Sequence, residues 1–268
     1  MTQPPPGRRA LVTGSLQGIG LAIAASLAAE SCHIVLHGLG DDSQKNAARE
    51  AVLAAGALSV ECFNHDLRQP EQIDALMKAA LAAGPLDILV NNAGIQQTAP
   101  LADLSAEVWD RIIAINLSAA FHTMKAALPS MAARGYGRVV NIASVHGLVA
   151  SVNKAPYVAA KFGLIGLSKV AALEYASAGN RELGGVTVNC ICPGWTETAI
   201  IEPQIQARAA RHGGDREAGV RELLQEKQPS LRTSKPAEIG QLAAWLCHPI
   251  AHNITGSAIP IEGGWTSQ

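Results

Sequence analysis

A tyrosine and a lysine, Tyr157 and Lys161, stand four residues apart in the segment Y-V-A-A-K. In a helix this spacing puts both side chains on one face, one turn apart. A free tyrosine, with a pKa of about 10, is a poor base at neutral pH. A nearby ammonium group stabilises the phenolate and lowers that pKa, so the pair is suited to moving a proton. Pairs with this spacing are also common on amphipathic helices, so the neighbouring residues decide between the two interpretations.

The residues near Tyr157 and Lys161 favour a catalytic role for the pair. Ser144 stands thirteen residues before Tyr157, at the end of the apolar segment V-V-N-I-A-S. Its hydroxyl is suited to hydrogen-bonding a substrate oxygen while the tyrosine moves the proton. Pro156 favours the first turn of the helix that carries Tyr157, and we expect Asn153 to cap that helix.

A glycine-rich turn precedes these residues by more than a hundred positions. The segment T-G-S-L-Q-G-I-G runs from Thr13 to Gly20, between a short apolar run and a helical pattern. Glycines at 14, 18 and 20 permit a tight turn and let a pyrophosphate approach the N–H groups that open a helix. In this strand-to-helix setting the turn predicts dinucleotide binding.

The elements that position these residues are short apolar runs alternating with longer segments of helical periodicity. This alternation predicts an α/β fold, a doubly wound, Rossmann-type parallel sheet of about seven strands with helices on both faces, forming one domain over residues 1–268. The predicted strands are Ala10–Val12, His33–His37, Val60–Phe63, Leu86–Val90, Arg138–Ile142, Val186–Ile191 and Ala258–Ile261. Helical patterns cover Gly20–Glu30, Asp42–Ala55, Pro70–Ala83, Ala106–Met131 and Pro156–Ala176.

The longest interruption of the alternation, Thr196–Pro236, follows the sixth predicted strand. Its pattern predicts two amphipathic helices around a flexible joint at Gly213–Gly214. The region is either a surface excursion or an active-site lid over about 196–230, and its position in the sequence favours neither interpretation over the other.

Composition limits the classes of function. Hydrophobic residues make up 48% and charged residues 16% of the chain, which is typical of a compact globular protein. A net charge of −1 without a basic block gives no reason to expect nucleic acid or a membrane as a partner. The opening M-T-Q-P-P-P-G-R-R is polar and lacks the apolar core of a signal peptide, and no uninterrupted apolar stretch is long enough to span a membrane. We therefore expect a cytoplasmic location.

The chain has five cysteines, Cys32, Cys62, Cys190, Cys192 and Cys247. An odd number in apolar runs predicts buried free thiols in a reducing compartment. Cys190 and Cys192 lack a second Cys/His pair at zinc spacing, so we expect no metal site.

Together the motifs identify a resemblance that covers essentially the whole chain. The turn G-x-x-x-G-x-G, the segment N-N-A-G at 91–94, Ser144 and Y-x-x-x-K in this order resemble the short-chain dehydrogenase/reductase family. The resemblance implies a catalytic set of Asn116, Ser144, Tyr157 and Lys161. In it the tyrosine is the general base, the lysine activates it and holds the nicotinamide ribose, and the asparagine holds a helix kink and a relay water.

The same resemblance implies a dinucleotide site at the carboxyl ends of the strands. Its residues are Thr13, Gly14, Gly18, Ile19, Gly20, Leu39, Asp66, Leu67, Asn92, Ala93, Gly94, Tyr157, Lys161, Pro193, Gly194, Thr196 and Thr198. Asp66 would bond the adenine edge. The tip of the second strand, L-H-G-L-G-D-D, carries neither an acid for the ribose 2′-hydroxyl nor an arginine for a 2′-phosphate, and Gln17 fills a position that is often basic in NADP users. We therefore expect NAD, with Leu39 packing near the adenosine.

Further segments resemble the bacterial 3-hydroxybutyrate dehydrogenase subfamily: N-N-A-G-I-Q, S-V-H-G-L-V-A-S-V-N-K, C-P-G-W, E-K-Q-P-S and E-G-G-W-T. This implies reversible NAD-dependent oxidation of (R)-3-hydroxybutyrate to acetoacetate, with lid closure bringing Gln204 to the substrate. The implied substrate contacts are Gln96, Ser144, His146, Lys154, Tyr157, Trp195, Gln204 and Trp265. A lysine, a histidine and two amides suit a carboxylate, and two indoles would restrict the methyl end.

Each substrate residue also has an ordinary interpretation. His146 would cap a loop, Lys154 and Gln204 would face water, and Trp265 would anchor a subunit contact. Two other functions compete: a reductase of 3-oxoacyl thioesters, which calls for NADPH and a basic docking surface, and a non-enzymatic dinucleotide sensor, which does not need the catalytic set.

Two departures from the subfamily pattern stand out. The segment 178–186 is longer than expected, and Leu39 replaces an aromatic residue. The family resemblance also implies a homotetramer built through the long helices and the C-terminal tail.

Overall fold

The computed structural model describes residues 7–267, so the polar start of the chain lies largely outside the described residues. One seven-stranded, fully parallel sheet runs through them in the order β3-β2-β1-β4-β5-β6-β7. The strands are β1 (Arg9–Val12), β2 (His33–His37), β3 (Ser59–Phe63), β4 (Ile88–Asn91), β5 (Tyr136–Ile142), β6 (Gly185–Pro193) and β7 (Ala258–Ile261). The predicted doubly wound sheet is confirmed.

Helices cover both faces of this sheet. They are α1 (Gly18–Ala29), α2 (Asp42–Ala54), α3 (Pro70–Ala82), α4 (Ala106–Ile113), α5 (Ala119–Ala133), α6 (Ala155–Tyr175), α7 (Glu202–Ala209), α8 (Arg216–Gln225) and α9 (Pro236–Cys247). The sequence pattern did not predict α9, which packs on α1 with Gly240 against the backbone of Ala22. The predicted helix 106–131 is divided by a π-helical turn, Ala114–Ser118, between α4 and α5.

Strand β1 shows why the sheet is buried on both faces. Ala10 and Val12 point to one side, into a core shared with α1 and α9, whereas Leu11 points to the other, into a core shared with α3 and α5. All three side chains are fully buried. Three successive buried apolar residues fit only between two helical layers, because successive side chains point to opposite faces.

The order of the strands places the ligand site. The chain moves outward in one direction from β1 to β3 and in the other from β4 to β7, so the reversal lies between β1 and β4. Loops at the carboxyl ends of these two strands diverge and leave a crevice, which is where open α/β sheets bind ligands. The glycine turn follows β1 and Asn92–Gly94 follows β4.

The segment 178–186, which is longer than expected, lies at the opposite end of the sheet. There the buried Arg138 guanidinium donates hydrogen bonds to the carbonyls of Gly184 and Gly185 at 3.0 and 2.9 Å. The extra residues therefore stabilise the amino ends of β5 and β6 and do not reach the crevice.

Two further observations bear on the sequence predictions. Helix α6 is long and apolar enough, by length and composition alone, to cross a membrane, but it is a core helix of this fold and buries Lys161, Leu164 and Ala171 among others. The five cysteines are free thiols, and four of them are buried, as predicted; Cys62 is partly exposed.

Candidate active site

Two glycines bring the turn after β1 against the loop after β4. Gly14 has a left-handed φ of +63°, and a Cβ there would lie 2.8 Å from the Cα of Ala93. A Cβ on Gly20 would lie 2.3 Å from the Gly14 carbonyl oxygen and 2.4 Å from the amide nitrogen of Asn92. Only glycine leaves room for this contact. The Thr13 hydroxyl completes it, because it accepts the backbone N–H groups of Asn92 and Ala93 at 3.0 and 3.1 Å.

The turn provides an anion site at the start of α1. Helix α1 begins at Gly18, its N-cap Gln17 makes no side-chain capping bond, and its first turn holds no acidic residue. The opening N–H groups therefore face the crevice with partial positive charge and no carboxylate competing for them. This cradle fits the pyrophosphate of a nicotinamide dinucleotide.

The far end of the crevice is lined by the tip of β2. His37, its last residue, is buried, and its Nε2 lies 2.8 Å from the carbonyl oxygen of His65, while Leu39 is 68% exposed. Among the described residues lining this end none is a lysine or an arginine. Asp66 also lines it, but its carboxylate accepts the Nε–H of Arg68 at 2.8 Å, and this bond lowers the Asp66 pKa. The predicted adenine contact thus involves a carboxylate that already has a cationic partner.

The tyrosine–lysine pair lies near the centre of the crevice, at the start of α6. The Lys161 Nζ lies 5.6 Å from the centre of the Tyr157 ring and donates a hydrogen bond to the Ile142 carbonyl at 2.7 Å. Burial raises the pKa of Tyr157, and a hydrogen bond from Ser144 acts in the opposite direction.

The expected lowering of the Tyr157 pKa by Lys161 is therefore wrong for this structure. Burial dominates, and it also lowers the pKa of Lys161 to about 8. An ammonium that is itself buried, and that donates a hydrogen bond to the Ile142 carbonyl, is a weak support for a phenolate.

Asn116 lies in the π-helical turn between α4 and α5. Its side-chain oxygen accepts the N–H of Ile95, and its side-chain amide donates to the carbonyl of Ile95, both at 2.9 Å. This two-bond clamp holds the loop after β4 against the break in the helix. The predicted link between Asn116 and a helix irregularity is thus visible in the backbone, since π turns accommodate one extra residue within a helix.

The substrate end of the crevice combines two indoles, an imidazole and an ammonium. The Trp195 and Trp265 ring centres are 5.5 Å apart, and the His146 ring stands edge-on to Trp265 at 5.4 Å and to Tyr157 at 6.0 Å. The Lys154 Nζ lies 4.9 Å from the centre of the Trp195 ring. Lys154 is 6% exposed, so its ordinary interpretation as a solvated surface lysine is excluded.

Electrostatics distinguish the two basic groups. Burial, with Lys154 and Lys227 nearby, lowers the pKa of His146 to about 3, so this imidazole is neutral at pH 7. Burial, with Lys227 and Arg208 nearby, lowers the pKa of Lys154 to about 8, so the ammonium still carries most of its charge at pH 7. His146 does not cap the loop with its side chain; instead the Ser144 hydroxyl accepts the His146 backbone N–H at 3.1 Å.

Lys154 is aimed by a strained residue before it. Asn153 has a left-handed φ of +63°, and Lys154 itself is the N-cap of α6, without a side-chain capping bond. The prediction that Asn153 caps the helix is therefore wrong. Asparagine tolerates this conformation better than other residues with a Cβ, and the bend turns the chain so that Lys154 enters the crevice. The prediction that Pro156 begins the helix is confirmed.

The helices α7 and α8 cover the substrate end. Ile201, Ile205, Leu223 and Leu224 pack with the two indoles into one buried cluster. Gln204 lines the crevice from α7, and the joint at Gly213 has a left-handed φ of +66°. The segment that follows β6 therefore lies over the crevice and does not extend away from it.

Most residues proposed from the sequence meet in this one crevice. Those that line it are Gly14, Gly18, Ile19, Leu39, Asp66, Leu67, Asn92, Ala93, Gly94, Gln96, Ser144, His146, Lys154, Tyr157, Lys161, Pro193, Gly194, Trp195, Thr196, Thr198, Gln204 and Trp265. Thr13, Gly20 and Asn116 lie behind this lining and hold its loops, as described above.

Sequence reasoning missed several lining residues, including His37, Gly38, His65 and Ile201. The position of His37 at a strand tip beside the glycine turn was a usable signal. Ile201 gave no signal, because its place depends on how α7 folds back over the two indoles.

Comparison with known proteins agrees with this geometry. The sequence profile of the short chain dehydrogenase family matches residues 8–209. The D-beta-hydroxybutyrate dehydrogenase of Cupriavidus necator is 46% identical over 264 residues, 98% of this chain and 99% of the relative. The D-beta-hydroxybutyrate dehydrogenase of Rhizobium meliloti is 43% identical over 97% of this chain and 99% of the relative.

Solved structures show the same architecture. The L-sorbose reductase of Gluconobacter frateurii, complexed with NADPH and L-sorbose, aligns over 100% of both chains with a TM-score of 0.92 and 29% identity. A single-substitution variant of actinorhodin polyketide ketoreductase with NADPH aligns over 98% of both chains with a TM-score of 0.88 and 32% identity. Both relatives thus hold a nicotinamide dinucleotide on this fold.

Proposed function

The chain belongs to the short-chain dehydrogenase family, and we propose that it oxidises (R)-3-hydroxybutyrate reversibly to acetoacetate with NAD⁺. The observation that carries this proposal is the crevice beside Tyr157, where a buried ammonium, Lys154, stands over an indole floor with Gln96, His146 and Gln204 around it. A cation, a neutral imidazole and two amides recognise a small carboxylate. The two relatives named for this reaction support the same substrate.

In the proposed mechanism Tyr157, as phenolate, takes the proton of the substrate hydroxyl. Ser144 hydrogen-bonds the same oxygen and fixes the carbinol carbon, and its hydrogen bond to Tyr157 offsets part of the rise in the tyrosine's pKa, while Lys161 holds the nicotinamide ribose. Bound NAD⁺ supplies the hydride acceptor. The acid–base residues therefore move only the proton, and Asn116 contributes by holding the adjoining loop and a relay water.

Lys154 carries out the binding part of the mechanism. Its ammonium pairs with the substrate carboxylate, with hydrogen bonds from Gln96 and Gln204, and the two indoles restrict the space at the methyl end. We propose that α7 and α8 move as a lid that brings Gln204 to the substrate and excludes water. The lid spans about 196–230.

NAD is the proposed cofactor because no lysine or arginine among the described residues lines the adenosine end, where a 2′-phosphate would need one. The solved relatives with NADPH make this choice worth testing directly.

We further propose a cytoplasmic homotetramer. Its support is a set of large apolar side chains that stay exposed on the long helices, Phe121 on α5 and Phe162 and Leu173 on α6. Light scattering of the purified protein tests the assembly.

One panel of initial rates tests the function. NAD⁺ and NADP⁺ are each offered with (R)-3-hydroxybutyrate and with its enantiomer, and NADH and NADPH are each offered with an acetoacetyl thioester. The proposal predicts that the (R)-acid with NAD⁺ gives the highest kcat/KM. A preference for the thioester with NADPH would favour the rival reductase, and absence of turnover throughout would favour a non-enzymatic dinucleotide sensor.

A further inference from the structure

A second lysine stands behind the substrate end, outside the set that the sequence assigns to it. Lys227 lies two residues after the end of α8, is half-buried, and donates a hydrogen bond from Nζ to the Ser151 hydroxyl at 2.8 Å. The same Nζ lies 5.6 Å from the centre of the Trp265 ring. The lid, the loop that carries Lys154 and the C-terminal indole therefore meet at this one side chain.

From this placement we propose that Lys227 is a positioning and specificity-determining residue, which holds a second positive charge behind Lys154 and so makes the pocket select a carboxylate over its neutral analogues. The inference rests on the proposed function, because it deepens the substrate class assigned to the same site. Its basis is the fixed position of the ammonium between Ser151 and Trp265.

The charges around the pocket explain why this second cation matters. Arg208, on α7, forms an ion pair with Glu226 at 2.7 Å, so its charge is largely neutralised. Within residues 7–267 the ion pairs of the lid engage arginines and a histidine, and neither Lys154 nor Lys227 takes part in one. His146, the other titratable group that faces Lys154, is neutral at pH 7. The substrate end therefore carries two uncompensated ammonium groups.

Two cations in one half-buried space destabilise each other until an anion arrives. Lys227 makes the largest charged contribution to the lowered pKa of Lys154, after burial itself. A carboxylate entering beside Lys154 relieves this repulsion, whereas a methyl ester does not. The selectivity for acids is thus larger than one lysine alone would give.

The neighbouring residues hold Lys227 in this position. The next residue, Gln228, is buried, and its side-chain oxygen accepts the backbone N–H of Trp195 at 3.1 Å. Ser230 donates its N–H to the Gly263 carbonyl at 2.9 Å. The segment 226–230 is therefore the fixed end of the lid, tied to the loop after β6 and to the C-terminal tail, and it holds Lys227 at a constant distance from the pocket.

The test compares (R)-3-hydroxybutyrate with its methyl ester in four variants. Lys227→Met removes the charge, Lys227→Arg keeps it, and Ser151→Ala removes only the hydrogen-bond partner. Lys78→Met, on the exposed face of α3, is the matched control for losing a lysine. Thermal unfolding midpoints identify any variant that is merely unstable.

For Lys227→Met we expect KM for the acid to rise about fivefold with kcat and the ester parameters unchanged, since a partly screened charge contributes of the order of 1 kcal/mol. Lys227→Arg should restore the acid KM, and Ser151→Ala should change it by less than Lys227→Met. In Lys227→Met, the rise of KM for (R)-3-hydroxybutyrate at alkaline pH should begin at a higher pH, because Lys154 then keeps its proton to a higher pH.

If KM rose equally for the acid and the ester, in Lys227→Met and Ser151→Ala alike, Lys227 would have a purely structural role. That result would overturn the inference. An unchanged acid KM in Lys227→Met would overturn it too. Both outcomes leave the proposed function intact, whereas failure of the unsubstituted enzyme to oxidise the acid would remove that function itself.

Discussion

The two ends of the crevice are built in different ways. At the cofactor end, backbone groups and glycines form the site, as where Gly20 lies under Gly14 and Asn92 with no room for a Cβ. At the substrate end, long side chains converge, as where Lys154 lies over Trp195. A backbone cradle is suited to the constant part of a dinucleotide, whereas side chains from separate segments can change one at a time and set substrate choice.

Tyr157, the proposed general base, joins the two ends, and its loss should have the largest effect. Tyr157→Phe removes the general base, which contributes roughly 10²- to 10⁴-fold to such reactions. We expect kcat to fall by that factor while NADH still binds, because the glycine cradle is untouched. Stopped-flow rates and NADH fluorescence titrations check both. A variant that keeps substantial turnover would refute the assigned base.

A steric change should damage the cofactor end alone. In Gly20→Ala the new Cβ would lie 2.3 Å from the Gly14 carbonyl oxygen, and relieving such overpacking costs roughly 1–3 kcal/mol. We expect the Kd for NADH to rise roughly 5- to 100-fold, because the turn must open to make room.

The matched control is Gly166→Ala in α6, where a Cβ would meet nothing within 4 Å. If both glycine variants weakened NADH binding equally, or if neither did, close backbone packing at Gly20 would not be what forms the cofactor end.

A pH titration should isolate the carboxylate contact when the acid is compared with its methyl ester, because Lys161, whose pKa is also about 8, affects both substrates alike. The pKa of Lys154 is about 8, lowered mainly by burial, so its ammonium is present below pH 8 and is lost above it. We expect KM for (R)-3-hydroxybutyrate to rise by up to about tenfold per pH unit above pH 8, the limit for one lost proton, relative to the methyl ester. Parallel profiles for acid and ester would place the carboxylate contact elsewhere.

The cofactor end was largely predictable from the sequence, because its parts are contiguous. Gly14, Gly18 and Gly20 form one turn, and the N-N-A-G segment directly follows a strand. The strand positions followed equally well from apolar runs that only a doubly covered sheet can bury. The π-helical turn at Ala114–Ser118 leaves no mark on the apolar periodicity, which continues across it, and only the family resemblance placed a helix kink at Asn116.

The substrate end was only partly predictable. Resemblance to relatives placed Lys154 and Gln204 in the pocket, but residue types alone left their ordinary interpretations open. The protonation states could not be predicted from the sequence. The neutral His146 and the raised pKa of Tyr157 depend on burial, which tertiary packing sets. Lys227 reaches the site only through the fold of α8.

The separation of the two ends is tested most directly by one pair of titrations on Lys154→Met. A charge-assisted hydrogen bond contributes about 1.5–3 kcal/mol, so KM for (R)-3-hydroxybutyrate should rise roughly 10- to 100-fold. The Kd for NADH, measured on the same preparation, should stay within experimental error of the unsubstituted enzyme. A rise in both constants together, or an unchanged KM, would contradict a substrate end that holds a carboxylate independently of the cofactor cradle.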